Sequence, residues 1–319
     1  MPAIPTTLVL SSGGIRGVAH VGVLQALAQA GWIGSKVHTV IGTSAGALVG
    51  MLLVLQYTPD EIARLVREYD FSGLSGDVGM YPSHLLRVPR SFGAVDSKHA
   101  PLGVFVRTVV QKSRVAKGDT DLTLGTLKQR TSCALVVCAT DTWTSNPVYF
   151  GPGTHPEMPV ATAVITSCNI PFYFTPVQGR YVDGALVDHY PFKMATDPLG
   201  HVIGIVIVDD ADQVDDDVRG ADSLVEYVRR LVRVVETSGT KRTLADTDIA
   251  DRTIVVRCPR GVGAFERREE YLEAGACAAR AFIERQNALR SCARITPGAR
   301  AKIARVLHTR RRSKNSSPT

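Results

Sequence analysis

Ser44 stands in Gly42-Thr43-Ser44-Ala45-Gly46, between the β-branched run Val37-His38-Thr39-Val40-Ile41 and the helix-forming run Ala47 to Leu55. Strand, Gly-x-Ser-x-Gly and helix in that order make a nucleophile elbow. Small residues must flank the serine because strand and helix cross tightly there. Gly42 and Gly46 remove the side chains that would clash. The helix N-terminus presents free N–H groups and the positive end of a dipole to developing negative charge. Alone, the pentapeptide also fits a plain turn. Val37 to Pro59 carries no Asp, Glu, Lys or Arg, a run long enough to cross a bilayer. The central Gly-Thr-Ser-Ala-Gly divides it into two shorter elements, as a buried strand and helix require.

Two further segments carry chemistry. Leu8-Val9-Leu10-Ser11-Ser12-Gly13-Gly14-Ile15-Arg16-Gly17 runs from a short apolar strand into a Gly-rich turn, and Val18 to Ala30 continues as a helix with Val21, Leu24, Leu27 and Ala28 on one face. Such a turn is an anion cradle of backbone N–H groups for a phosphate or an oxyanion. A dinucleotide fingerprint needs Gly-x-Gly-x-x-Gly, and Ser12 occupies its first glycine. Tyr181-Val182-Asp183-Gly184-Ala185 places an aspartate at a strand end before a turn. Without context, Asp-Gly is an ordinary turn pair.

In that order, the three segments resemble the patatin-like phospholipase family: a Gly-rich oxyanion loop ending in Arg-Gly, a Gly-x-Ser-x-Gly elbow, and Asp-Gly-Ala. The likeness extends through the small-residue helix and Pro-aromatic segment Ala161 to Val177, and covers roughly 7–200. The resemblance implies that Ser44 is the nucleophile and Asp183 the base of a Ser-Asp dyad. It gives the oxyanion hole to the N–H groups of Gly13 and Gly14, with Ile15, Arg16 and Gly17 completing the loop. Gly184 and Ala185 follow the aspartate. The implied reaction is hydrolysis of phospholipid or lysophospholipid esters through an acyl-enzyme, without cofactor or metal. A carboxylesterase or acyl-CoA thioesterase, an inactive lipid- or protein-binding module, and a nucleotide-binding protein are the alternatives. Some relatives need a protein activator, on which these residues are silent. Two positions depart from the pattern. Ser12 replaces a glycine and is strained if its φ is positive. His189 follows Asp188 where relatives often carry Asn, so Ser44, Asp183 and His189 also match the order of a hydrolase triad. Arg16 is read equally as a head-group contact or a brace of the loop.

To position these residues, the pattern predicts strands at 7–11, 37–41, 133–140, 147–150, 180–182, 202–208 and 253–258. It predicts helices at 17–30, 44–56, 59–69, 101–111, 123–129, 157–167, 189–196, 221–238 and 266–290. The alternation predicts an α/β fold, a mostly parallel central sheet flanked by helices on both faces, with the site at the carboxyl ends of the strands. Residues 71–100, rich in Gly, Ser and Pro, are read as a surface excursion or a lid.

Composition fits one enzyme domain over 1–293 followed by a basic tail over 294–319. The chain has 319 residues, 45% of them hydrophobic, and a net charge of +7. Eight Lys and Arg and no acids lie beyond Ala293, so the body is close to neutral. A tail of that kind is solvated, or attracts an anionic membrane surface peripherally. Nucleic acid is not the expected partner. Asp209, Asp210, Asp212 and Asp215 to Asp217 form an acidic loop without EF-hand spacing. Six cysteines without ligand or redox spacing suggest free thiols in a reducing compartment. Neither a signal-peptide pattern at the start nor a membrane span is expected, which points to an intracellular protein.

Overall fold

The computed structural model describes residues 5–34, 36–69, 93–95, 100–196, 201–210, 224–259 and 266–293. The lid reading of 71–100 falls mostly outside them, as do the basic tail and the acidic loop beyond Asp210.

β1 (Thr7–Leu10) is buried along its whole length and sits in the middle of the main sheet. It pairs in parallel with β2 (Thr39–Thr43) on one side and β8 (Val202–Asp209) on the other. β2 continues in parallel to β4 (Ala134–Asp141), and β8 to β9 (Thr253–Cys258). β5 (Asn146–Phe150) and β7 (Tyr181–Asp183) run antiparallel to β4. The sheet is therefore mostly parallel, as the alternating pattern predicts. Leaving from β1, the chain goes to neighbours on both sides, so the Gly-rich turn after β1 opens at a topological switch point, where such sheets bind ligands.

The two faces are covered unequally. Leu8, Leu10, Val40, Ile203, Ile205 and Ile207 point into the larger core. There they meet α1 (Val18–Gln29), α2 (Ala45–Val54), α3 (Pro59–Glu68), α4 (Pro101–Lys112), α5 (Leu124–Thr131) and α6 (Val160–Ser167). Val9, Ile41, Val202 and Val206, one residue out of phase, point into a smaller core with Tyr190, Phe192 and Ile249. That is the two-residue period of a strand buried on both sides. α7 (Leu224–Leu244) and α8 (Thr247–Asp251) lie on this smaller side, contributing Leu244 and Ile249. α9 (Arg268–Ala293) packs along α1.

Three differences from the sequence reading have local causes. The helix expected at 189–196 is a single 3-10 turn, Phe192–Met194. Tyr190 and Phe192 both enter the smaller core, a spacing of two that no α-helix face can serve, and Pro191 between them donates no N–H. The Pro-aromatic segment contains β6 (Phe172–Phe174), which pairs in parallel with β3 (Gly93–Val95), a two-stranded sheet. Both strands have three residues, too short to show a period. α8 escapes the pattern for the same reason; Asp246 caps it through the N–H groups of Asp248 and Ile249. None of the described helices is long and apolar enough to cross a membrane.

Candidate active site

Ser44 caps α2 with φ 52° and ψ −120°, the left-handed half of the map that a serine enters only under constraint. The constraint is the crossing itself. A Cβ on Gly46 would come within 2.4 Å of the Leu10 and Ser11 carbonyl oxygens, and one on Gly42 within 2.6 Å of the Gly46 backbone. Ser44 N–H donates to Ser167 Oγ at 2.7 Å, and Ser167 Oγ–H donates to the Cys138 carbonyl at 2.5 Å. The strained turn is thus tied to α6 and β4.

Asp183 arrives from the opposite direction. One edge of β4 is shared by two strands: β2 pairs with it up to Thr43 opposite Cys138, and β7 pairs antiparallel from Asp183 opposite Ala139. The two strands meet end to end against consecutive residues of β4. Ser44 is one residue past the end of β2, so its Oγ donates to Asp183 Oδ2 at 2.6 Å. Asp183 Oδ1 accepts from Ala185 N–H at 2.9 Å, in the 3-10 turn Gly184–Leu186. Its backbone is pinned as well: Asp183 N–H donates to the Asn169 carbonyl and Thr140 Oγ1 donates to the Asp183 carbonyl. Burial pushes the Asp183 carboxyl up to about 7, against the hydrogen bonds from Ser44 and Ala185, and the Glu236 charge adds to the rise. A buried carboxyl raised toward neutral pH and hydrogen-bonded to a serine at a helix N-terminus can exchange a proton with that serine.

The turn after β1 lies directly on the elbow: a Cβ on Gly17 would clash with Ala45. Gly14 has φ 54° and opens a 3-10 helix, Gly14–Gly17, whose first N–H groups have no acceptor within the helix. Gly13 is buried and precedes it; Ile15 and Arg16 are half-buried and Gly17 buried. The Arg16 guanidinium forms an ion pair with Asp209 at the end of β8, which ties the turn to the sheet. His20, on α1, lies fully buried with Nε2 2.9 Å from the Ser11 carbonyl. Burial lowers it to about 4, so it is neutral and its Nε2–H braces the same turn.

Ser12 is not in the positive-φ region, so the strain anticipated for a serine at this position is absent. Its hydroxyl is fully engaged instead, 2.5 Å from His189 Nδ1 and 2.9 Å from Glu236 Oε1. His189 Nδ1 therefore faces Ser12, while the Ser44 hydroxyl goes to Asp183. Sequence reasoning did not find Glu236, Ser167, Asn169 or Thr140. Glu236 had no local signal, because it is one of several charged residues on α7. Ser167 and Asn169 lie in the small-residue segment before the aspartate, where hydrogen-bonding side chains among apolar neighbours were the available sign.

Known proteins share this architecture. The model of the patatin-like phospholipase family matches residues 8–196. Curated relatives include uncharacterized protein YqhO of Bacillus subtilis, 28% identical over 62% of this chain and 70% of its own. Uncharacterized protein R571 of Acanthamoeba polyphaga mimivirus is 22% identical over 83% and 89%. Probable lipid hydrolase 463L of invertebrate iridescent virus 6 is 27% identical over 61% and 64%. Among solved structures, VipD from Legionella pneumophila superposes with a TM-score of 0.58 at 19% identity, over 88% of this chain and 67% of VipD. ExoU of Pseudomonas aeruginosa, in its heterodimeric complex with SpcU, gives 0.55 at 20%, over 89% of this chain and 52% of ExoU. The chain thus spans about half the length of ExoU.

Proposed function

The chain belongs to the patatin-like phospholipase family and is a hydrolase, and from that premise we propose that Ser44 and Asp183 form a catalytic dyad that cleaves phospholipid or lysophospholipid esters through an acyl-enzyme. The observation that carries the proposal is the 2.6 Å hydrogen bond from Ser44 Oγ to Asp183 Oδ2 at the meeting point of two strand ends. Asp183 accepts the Ser44 proton as Oγ attacks the ester carbonyl. The same proton then passes to the departing alcohol oxygen. In the second half, Asp183 takes a proton from the water that attacks the acyl carbonyl and returns it to Ser44 Oγ as the acyl–Oγ bond breaks and the fatty acid leaves. A carboxyl group near pH 7 serves both directions of transfer.

The oxyanion falls to the turn after β1. Ser44 N–H is already given to Ser167, whereas the N–H groups of Gly13 and Gly14 open at the switch point above the elbow. One such donor is worth about 3 kcal/mol in the transition state. Lipid is the substrate class that the family description supports; contact with a membrane surface through the basic tail is part of the same proposal, as is any need for a protein activator.

Labelling with a lipid-like fluorophosphonate tests the dyad. Wild type is expected to label, Ser44→Ala not at all, and Asp183→Ala far more slowly. His189→Ala is expected to label far faster than Asp183→Ala, because the Ser44 hydroxyl goes to Asp183; a loss equal to that of Ser44→Ala would replace the dyad by a triad. A folded wild type that does not label, even with membranes and cell extract added, would favour a binding module over an enzyme.

A further inference from the structure

The oxyanion turn is held by a buried relay that the dyad itself does not use. Ser12 N–H donates to the His189 carbonyl at 2.9 Å, fixing the two backbones together. Their side chains then meet Glu236, which reaches in from α7. Glu236 Oε1 lies 2.9 Å from Ser12 Oγ and 3.7 Å from His189 Nδ1. Burial opposes the charge on Glu236, but hydrogen bonding and charge from His189, the Ser12 hydroxyl and Arg16 hold its carboxyl below the ordinary value.

An ionised carboxylate only accepts, and a serine hydroxyl has one proton to give. Ser12 therefore donates to Glu236, and His189 donates its Nδ1–H to Ser12 Oγ. This order rules out Ser12 as a second nucleophile. A catalytic histidine must accept the serine proton, whereas here the histidine nitrogen is a donor and the serine proton points to the carboxylate. The relay His189, Ser12, Glu236 instead links α7, the segment after Asp183 and the residue before Gly13.

We infer that Glu236 is a positioning residue of the hydrolytic site, anchoring the oxyanion turn through Ser12 and His189. The inference rests on the proposed hydrolase reading and deepens it. It also gives Ser12 a purpose: a glycine at this position would offer no hydroxyl to receive the anchor. Glu236 further places a second negative charge near Asp183. Among the described residues, the other groups that face Asp183 are the Ser44 hydroxyl at the start of α2 and the thiols of Cys168, after α6, and Cys138, on β4, which burial keeps protonated. Those facing Glu236 are His189, Ser12 and Arg16.

The test uses the full chain and a soluble p-nitrophenyl ester, with kcat and KM measured across the pH range around neutrality. Glu236→Gln can still accept from Ser12 but carries no charge. It is expected to keep its plateau kcat within about threefold, with its acid limb displaced to lower pH, because the charge that disfavours ionised Asp183 is gone. Glu236→Ala loses the anchor as well. Its kcat should fall roughly tenfold with KM unchanged, the signature of an interaction made in the transition state. In a Ser12→Ala background the same Glu236→Ala change should cost less than about twofold more. A Ser12→Ala kcat equal to that of wild type overturns the inference, because that change removes the same anchor from its other end. So does a loss in Glu236→Ala that persists undiminished without the Ser12 hydroxyl. If Glu236→Ala does not fold, the Ser12→Ala kcat decides alone. A wild type without Ser44-dependent turnover would defeat the hydrolase reading itself, whereas an active wild type with unaffected variants defeats only this inference.

Discussion

Asp141 and Asp183 lie on the same antiparallel ladder, Asp141 opposite Tyr181 and Asp183 opposite Ala139. Each is 5% exposed. Their charges are nevertheless treated in opposite ways. Arg180 grips Asp141 with Nε on Oδ1 at 2.8 Å and Nη2 on Oδ2 at 2.5 Å, and Trp143 N–H and Thr144 Oγ1 add two more donors. The guanidinium holds Asp141 well below the usual carboxylate range. Asp183 receives a serine hydroxyl and one backbone N–H, and burial raises it to about 7. Equal exposed area hides unequal surroundings: desolvation dominates at Asp183, whereas the hydrogen bond from Arg180 dominates at Asp141. A matched cation fixes one carboxylate as a structural tie, while two neutral donors leave the other able to take up a proton.

The comparison predicts its largest difference in activity. Asp183→Asn keeps the shape and removes the proposed base, so kcat is expected to fall by about 10² to 10⁴-fold; Asp141→Asn is expected to stay within a few-fold of wild type. Steady-state hydrolysis of a soluble ester reads both, and equal losses would erase the distinction. Wild-type activity should rise with pH through about 7, as Asp183 loses its proton. A profile flat from the ordinary carboxylate range to alkaline pH would show a base other than Asp183.

Stability should separate the pair in sign. For Asp183 the folded value lies above the unfolded one. Its contribution is therefore fully present below the ordinary carboxylate value and is lost as pH rises through about 7. Asp183→Asn escapes that loss, and should melt higher than wild type at alkaline pH. The rise from the ordinary carboxylate value to about 7 bounds that gain at roughly 4 kcal/mol. For Asp141 the folded value lies below the unfolded one, so its contribution is present above the ordinary carboxylate value and disappears on acidification. Asp141→Asn should melt lower than wild type at neutral pH, with the gap closing as pH falls. Thermal melts of the two variants across pH check both signs together.

How far each half of the site can be read from sequence follows from the same contrast. Ser44 is set by its neighbours in the chain, because strand, glycine, serine, glycine and helix are local and the crossing forces the residue types. Asp183 is visible as an Asp-Gly turn and through the family resemblance, but what holds it is not. Thr140 meets it because β4 shares one edge between β2 and β7, and Asn169 meets it from the segment after α6; no pattern along the chain announces either contact. Glu236 is farther still, 224 residues from Ser12. The parallel sheet is legible from its buried runs, Leu8-Val9-Leu10 and Val202 to Val208. The 189–196 segment misleads because its aromatic residues alternate into a core that only the finished sheet creates.

The smallest expected effect tests whether the two ends of the ladder are electrically independent. Arg180→Gln removes the cation that balances Asp141 and leaves that carboxylate in place. Asp183, two residues along the ladder, then feels a net negative neighbour, so the acid limb of the pH profile should move slightly upward. The plateau kcat should stay within about twofold, because Arg180 hydrogen-bonds Asp141 and not Ser44 or the turn after β1. The direction is opposite to that expected when a negative charge is removed near Asp183. A fall in the plateau comparable to that of Asp183→Asn would mean that the Asp141–Arg180 tie sets the geometry of Asp183 rather than its charge, and the division into a structural and a reactive carboxylate would have to be redrawn.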